Sequence, residues 1–244
     1  MRSLSRCSVT WMLNKMKVLA VGDLHGKDCW KKIDPAVYDH VVFVGDYVDS
    51  LDLPGGKMRD NLSEVIDFKK EHPEKITLLL GNHDIQYSEY PDYHCSGFNA
   101  RMQKDYTELF RENKSLFRVA VQFGDYLFTH AGLSYGFVKH NLKPWRDQII
   151  EKSINVADLL NRLQDSDQQE ILHTVSEVRG GIEPYGGITW ADFSETSTDL
   201  LPGYHQVVGH TRQREITKVE KGDASITYID VLNTVEEFYE GEFD

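Results

Sequence analysis

Short runs of β-branched and apolar residues recur along the chain at Lys17–Val21, Val41–Val44, Ile76–Leu80, Tyr126–Thr129, Gln206–Val208 and Ser225–Val231. Each is bounded by glycine or polar clusters, and each predicts a strand. Between them apolar side chains return at about 3.6 residues. The sets Leu62, Val65, Ile66 (with Lys69, before Pro73) and Ile154, Leu159, Leu160, Leu163 predict helices. The first three strands alternate with helices or long loops in a βαβαβ sense, which implies an α/β fold with a largely parallel sheet covered on both faces. In such a fold ligands gather at the carboxyl ends of the strands.

No linker, repeat or low-complexity tract divides the middle of the chain, so residues 16–235 read as one domain. Residues 1–15 carry Arg2, Arg6 and Lys15 without an acid, and the apolar run Val9–Leu13 is too short for a secretory core. They are expected to be a disordered arm. Glu236, Glu237, Glu240, Glu242 and Asp244 crowd the other end without a base, and residues 236–244 are expected to be a solvated acidic tail.

The 244 residues include 27 Lys and Arg against 39 Asp and Glu, a formal charge of −12. That balance argues against nucleic-acid partners and anionic membrane surfaces. No run approaches the ~18 apolar residues of a membrane-spanning helix. Three cysteines with no CxxC pair signal neither a disulfide framework nor a thiolate zinc site, which fits a reducing, cytoplasmic compartment.

The strand ends carry the chemistry. The first runs into Gly22-Asp23-Leu24-His25-Gly26, the second into Gly45-Asp46-Tyr47-Val48-Asp49, and the third into Gly81-Asn82-His83-Asp84. Later ends present His130-Ala131-Gly132 and Gly209-His210-Thr211. Imidazole, carboxylate and amide oxygen without thiolate favour borderline or hard divalent ions, Mn²⁺ first, with Fe, Zn or Ni as alternatives. Six ligands exceed what one open catalytic metal needs. Two ions sharing Asp46 as a bridge would use them well.

In order, the motifs GDLHG, GDYVD, GNHD, HAGL and VVGHT resemble those of the calcineurin-like metallophosphoesterase superfamily, and within it the phosphoprotein-phosphatase branch. The look is closest to its small phage and bacterial members. The resemblance implies a central mixed β-sandwich flanked by helices, in α/β/β/α layers, and a dinuclear site that hydrolyses phosphoesters with a hydroxide held between the metals. It assigns the first metal to Asp23 and His25, the bridge to Asp46, and the second metal to Asn82, His130 and His210. It makes His83 the general acid and Asp49 the carboxylate that orients it. The implied substrates are phosphoproteins or small phosphomonoesters.

The chain also departs from the branch. Ser50 stands where the phosphatases carry a phosphate-gripping Arg, and Asp84 stands for Glu. Arg179, beside Gly180-Gly181 and shortly before Trp190-Ala191-Asp192, is the first choice to replace that cation, with Arg101 and Arg212 behind it. The remaining histidines, His40, His72, His94, His140, His173 and His205, read as surface or packing residues, and the Tyr87, Tyr90, Tyr93 cluster as a packed loop or a lid. Dinucleoside polyphosphate hydrolysis is the competing activity. A metal-free adaptor on the same scaffold is disfavoured because all six ligand positions are kept.

Overall fold

A computed structural model describes residues 15–243 of the chain, so the expected arm lies, but for Lys15, outside the described residues. Its strands are β1 (Met16–Val21), β2 (His40–Phe43), β3 (Ile76–Leu79), β4 (Phe117–Arg118), β5 (Ala120–Phe123), β6 (Tyr126–Thr129), β7 (His205–Val208), β8 (Thr217–Lys221), β9 (Ala224–Tyr228) and β10 (Tyr239–Phe243). Helices α1 (Gly55–Glu71), α2 (Asn82–Ser88), α3 (Gln103–Glu112), α4 (Tyr135–His140), α5 (Arg146–Ile150), α6 (Val156–Gln164) and α7 (Phe193–Thr196) connect them.

The strands form two five-stranded sheets, ordered β10-β1-β2-β3-β4 and β5-β6-β7-β9-β8. Both are mixed. In the first, β1 to β4 run parallel and β10 joins antiparallel. In the second, β6, β7 and β9 run parallel between antiparallel edges.

Alternation along β1 explains why its sequence is apolar throughout. Val18 and Ala20 pack with Val42, Val44, Phe128 and Val207 in a core shared by both sheets, while Leu19 and Val21 join Leu62, Val65 and Ile66 of α1. A strand covered on both faces has no polar side to show. The outer face of the second sheet is covered by Phe193 and Thr196 of α7, whose hydroxyl lies 2.8 Å from that of Tyr228. Helix α6 begins where the Asn155 side chain accepts from Asp158 N–H, a local start signal that places its first residue two after Ile154.

The two mixed sheets with helices on their outer faces are the α/β/β/α sandwich that the resemblance implies, the largely parallel β1–β4 sheet being one half of it. One expectation needs correction. The acidic end is not a solvated tail over its whole length, because β10 pairs with β1 from Met16↔Phe243 to Ala20↔Tyr239. Alternation accounts for this: Glu240 and Glu242 face outward, whereas Phe243 is buried and stacks on Tyr126 with ring centroids 3.9 Å apart.

Candidate metal centre

All the strand ends singled out above meet at one edge of the sandwich. The loops there are sewn to one another through backbone groups: His25 N–H donates to Asp46 O at 2.8 Å, Gly26 N–H to Tyr47 O at 2.8 Å, and Gly209 N–H to His130 O at 2.8 Å. Buried Asp84 accepts from Asp46 N–H (2.7 Å), Tyr47 N–H (3.0 Å) and Gly81 N–H (2.9 Å), so its carboxylate ties the second loop to the third.

Backbone strain marks the same place. The non-glycine residues with positive φ among those described are His25 (44°), Asp46 (55°), Asp49 (65°), His210 (65°) and Lys152 (53°). All but Lys152 were expected site residues, and such strain collects where function over-determines the backbone. Gly209 is needed for closeness, since a Cβ there would lie 2.0 Å from Asp23 Oδ1.

Imidazole nitrogens and an amide oxygen crowd around Asp46. His130 Nδ1 sits 2.9 Å from Val44 O, and His25 Nδ1 sits 2.7 Å from Val48 O. A carbonyl only accepts, so both nitrogens carry the proton, and in the neutral rings Nε2 is a bare lone pair. Yet His130 Nε2 lies 3.4 Å from Asp46 Oδ2 and 3.1 Å from Asn82 Oδ1, and His25 Nε2 lies 3.9 Å from Asp46 Oδ2. His210 places Nδ1 2.9 Å from the same Asn82 oxygen, and its Nε2 is buried with no partner. Asp23 takes the His210 N–H on both oxygens, at 3.1 and 3.0 Å.

Imidazole nitrogens and carboxylate and amide oxygens converging on one point are what a cation would satisfy. Histidines that donate their other nitrogen to a backbone carbonyl are oriented as metal ligands are. Asp46 with His130 and His210, and Asp46 with His25 and His83, each have ligand atoms within 4.8 Å of one another. The donor set therefore fits divalent ions, and all six expected ligands are brought to one place.

The charges are strongly coupled. Burial pushes Asp46 up, but His130, His83 and His25 outweigh it and leave the carboxyl well below its usual range. Burial pushes His130 down, while Asp46 and Asp23 lift it to about 9. Burial together with His130 and Arg179 holds His210 well below the ordinary imidazole value. Burial and the nearby Asp230 raise Asp23.

His83 borders this cluster, its ring edge-on to that of His25 at 5.1 Å between centroids. Its Nδ1 lies 3.1 Å from Asp49 Oδ2 and 3.5 Å from Cys95 Sγ, and its backbone N–H donates to Asp46 Oδ1 at 3.0 Å. Burial works against its charged form, but Asp46 and Asp49 raise it to about 12. Asp49 is itself pinned by the hydroxyl of Tyr87 (2.6 Å) and the amide of Gln86. Tyr87 thus tethers Asp49 from within. Tyr90 stacks on Phe98 and Tyr93 packs against His173, which makes this cluster a packed loop.

Arg179 approaches from the far side. It donates from Nη2 to Thr211 Oγ1 at 2.6 Å and pairs through Nε with Asp192 at 2.7 Å, one residue along from His210. Trp190 stands edge-on to His210 at 5.8 Å as a wall. Arg101 and Arg212 are exposed. Asp84, Tyr87, Gln86, Cys95 and Asp230 were not expected as parts of the site. A signal existed for Asp84, an acid just inside a helix start, and for Asp230, an acid closing an apolar run.

The calcineurin-like phosphoesterase family model matches residues 16–213. The chain belongs to the calcineurin-like phosphoesterase family. A Schizosaccharomyces pombe protein named "Putative serine/threonine-protein phosphatase" is 29% identical over 128 residues, covering 48% of this chain and 39% of that protein. The match thus spans about two fifths of that relative's length. The cold-active protein-tyrosine phosphatase of a psychrophilic Shewanella species has a similar fold, with TM-score 0.56 and 18% identity over 91% of this chain and 73% of that one. Its structure at 1.1 Å gives the same TM-score and identity over 91% and 72%. These likenesses place the two-sheet sandwich, with its helical flanks, within the phosphoesterase fold. Among the described residues, no helix is long and apolar enough to cross a membrane.

Proposed function

We propose that this calcineurin-like phosphoesterase is a phosphatase with a dinuclear metal centre, acting on phosphoproteins or small phosphomonoesters. The observation that carries the reading is that Nε2 of His130 and of His25 both turn on Asp46, with the unpartnered Nε2 of His210 beside them. Asp23 and His25 would hold one ion, Asn82, His130 and His210 the other, and Asp46 both. When bound, such ions, Mn²⁺ first among them, neutralise phosphate charge and make water acidic enough to attack near neutral pH.

The chain's own residues supply the rest. His83 offers a proton to the departing alkoxide, and Asp49, fixed by Tyr87 and Gln86, holds the imidazole by Nδ1 so that Nε2 is the donating atom. Arg179, steadied by Thr211 and Asp192, takes the phosphate-gripping role that Ser50 cannot fill. The names of the fission-yeast relative and of the Shewanella neighbour both support a phosphorylated substrate, and the free Cys29 and Cys95 suit the reducing cytoplasm.

The test is a panel of p-nitrophenyl phosphate, a phosphopeptide and diadenosine tetraphosphate, each with Mn²⁺ and after chelation. Turnover of the first two that stops on chelation is expected. Cleavage of diadenosine tetraphosphate alone would move the assignment to dinucleotide hydrolysis, and cleavage of none would defeat it.

A further inference from the structure

Asp230 follows strand β9 as Asp23 follows β1. Strand β9 runs parallel to β7, with Val208 opposite Tyr228, so Asp230 occupies the same level beyond its strand as His210 does beyond its own. It is a sixth strand end delivering a polar side chain to the one edge of the sandwich. The two aspartates belong to different sheets, and a glycine allows them to meet: a Cβ on Gly22 would lie 2.2 Å from Ile229 O and 3.4 Å from Asp230 Cα.

Asp230 is 2% exposed, and its Oδ1 is buried with no hydrogen-bond partner. Its backbone is spoken for, since its carbonyl accepts from Gln213 N–H at 2.8 Å, but no ion pair among the described residues uses the side chain. The cations that act on it are Arg212 and Lys27, and Lys27 gives its ammonium to Asn233 Oδ1 at 2.7 Å. A buried carboxylate oxygen with no donor is costly, and it persists where something outside the chain satisfies it.

Resting on the metal reading above, we propose that Asp230 is a further member of the centre, its Oδ1 holding the cation on the Asp23 side. Asp23 and Asp230 then form a two-carboxylate subsite whose mutual repulsion a bound cation relieves. Asp23 spends both oxygens on the His210 N–H, so a second carboxylate beside it adds the charge that a hard ion requires.

The experiment measures Mn²⁺ binding by isothermal titration, and melting with and without Mn²⁺, for the whole chain and for Asp230→Asn and Asp230→Ser. Loss even of an outer-shell partner typically weakens metal binding about 10–100-fold, and loss of a direct ligand should weaken it at least as much. We expect that loss for the weaker-bound class of ions, a smaller Mn²⁺-induced rise in melting temperature, and a chelated variant that melts no lower than the chelated wild type. Unchanged Mn²⁺ affinity in both variants would overturn the proposal. So would loss of folding in both variants under chelation, which would give Asp230 a structural role. A wild-type chain with no saturable Mn²⁺ binding would instead defeat the metal reading itself.

Discussion

The two ring nitrogens of His83 have different tasks, and the difference makes its role testable. Nδ1 is fixed by Asp49, so an amide in place of the ring keeps the loop but supplies no proton. His83→Asn is expected to retain Mn²⁺ binding and to lose about 10²–10⁴-fold in kcat, as removal of a general acid does. Steady-state kinetics beside a binding isotherm separates these effects, and loss of both would make His83 a scaffold residue. Arg179→Ala is expected to raise KM for p-nitrophenyl phosphate about 10–100-fold, the worth of a charge-assisted bond to phosphate, with Mn²⁺ binding unaltered. The six candidate ligands were legible because each stands one to four residues beyond an apolar run that reads as a strand. Asp84, Tyr87 and Asp230 were not, since their tasks depend on neighbours from distant loops: Asp84 on backbone N–H groups 37 and 38 residues away, and Tyr87 on Asp49.

Strand ends do the positioning, and an element that is disturbed should disturb its own loop first. Gly209→Ala drives a methyl into Asp23 and is expected to cut Mn²⁺ affinity while the circular-dichroism spectrum stays native; unchanged affinity would show that Asp23 need not lie there. Strand β10 was hidden because its acids dominate its composition, although their every-second-residue spacing is that of an edge strand. Phe243 packs against Tyr126 and Phe128 from the end of that strand. Phe243→Ala should cost about 3–5 kcal/mol, or on the order of 10 °C in melting temperature for a chain of this size. The turn Gln169–His173 carries a different sensitivity. His173 is buried between Thr189 and Gln164, and burial lowers it to about 3. Its folded value is below its unfolded one, so the unfolded chain binds the extra proton. The stability it confers is present above the ordinary imidazole value near 6.5 and is lost as pH falls towards about 3. Denaturant titrations from pH 7 to 4 should therefore show a steeper loss for the wild type than for His173→Gln, and equal slopes would contradict this.

At the scale of the whole molecule, two mixed sheets packed face to face let loops nearly two hundred residues apart in sequence share one edge. The second sheet was only half legible: β6, β7 and β9 were expected, but β5 and β8 were not, and the pairing of sheets follows from which face of each strand is apolar on both sides of the core. At this edge the buried carboxyls of Asp23, Asp46 and Asp230 act on one another electrostatically. The measurement that bears most directly on the centre is anomalous X-ray scattering at the manganese edge from crystals grown with Mn²⁺. Two peaks are expected, one on either side of the Asp46 carboxylate, the first against Asp23 and His25 and the second against Asn82, His130 and His210. A single peak, or scattering only elsewhere on the molecule, would contradict the dinuclear centre.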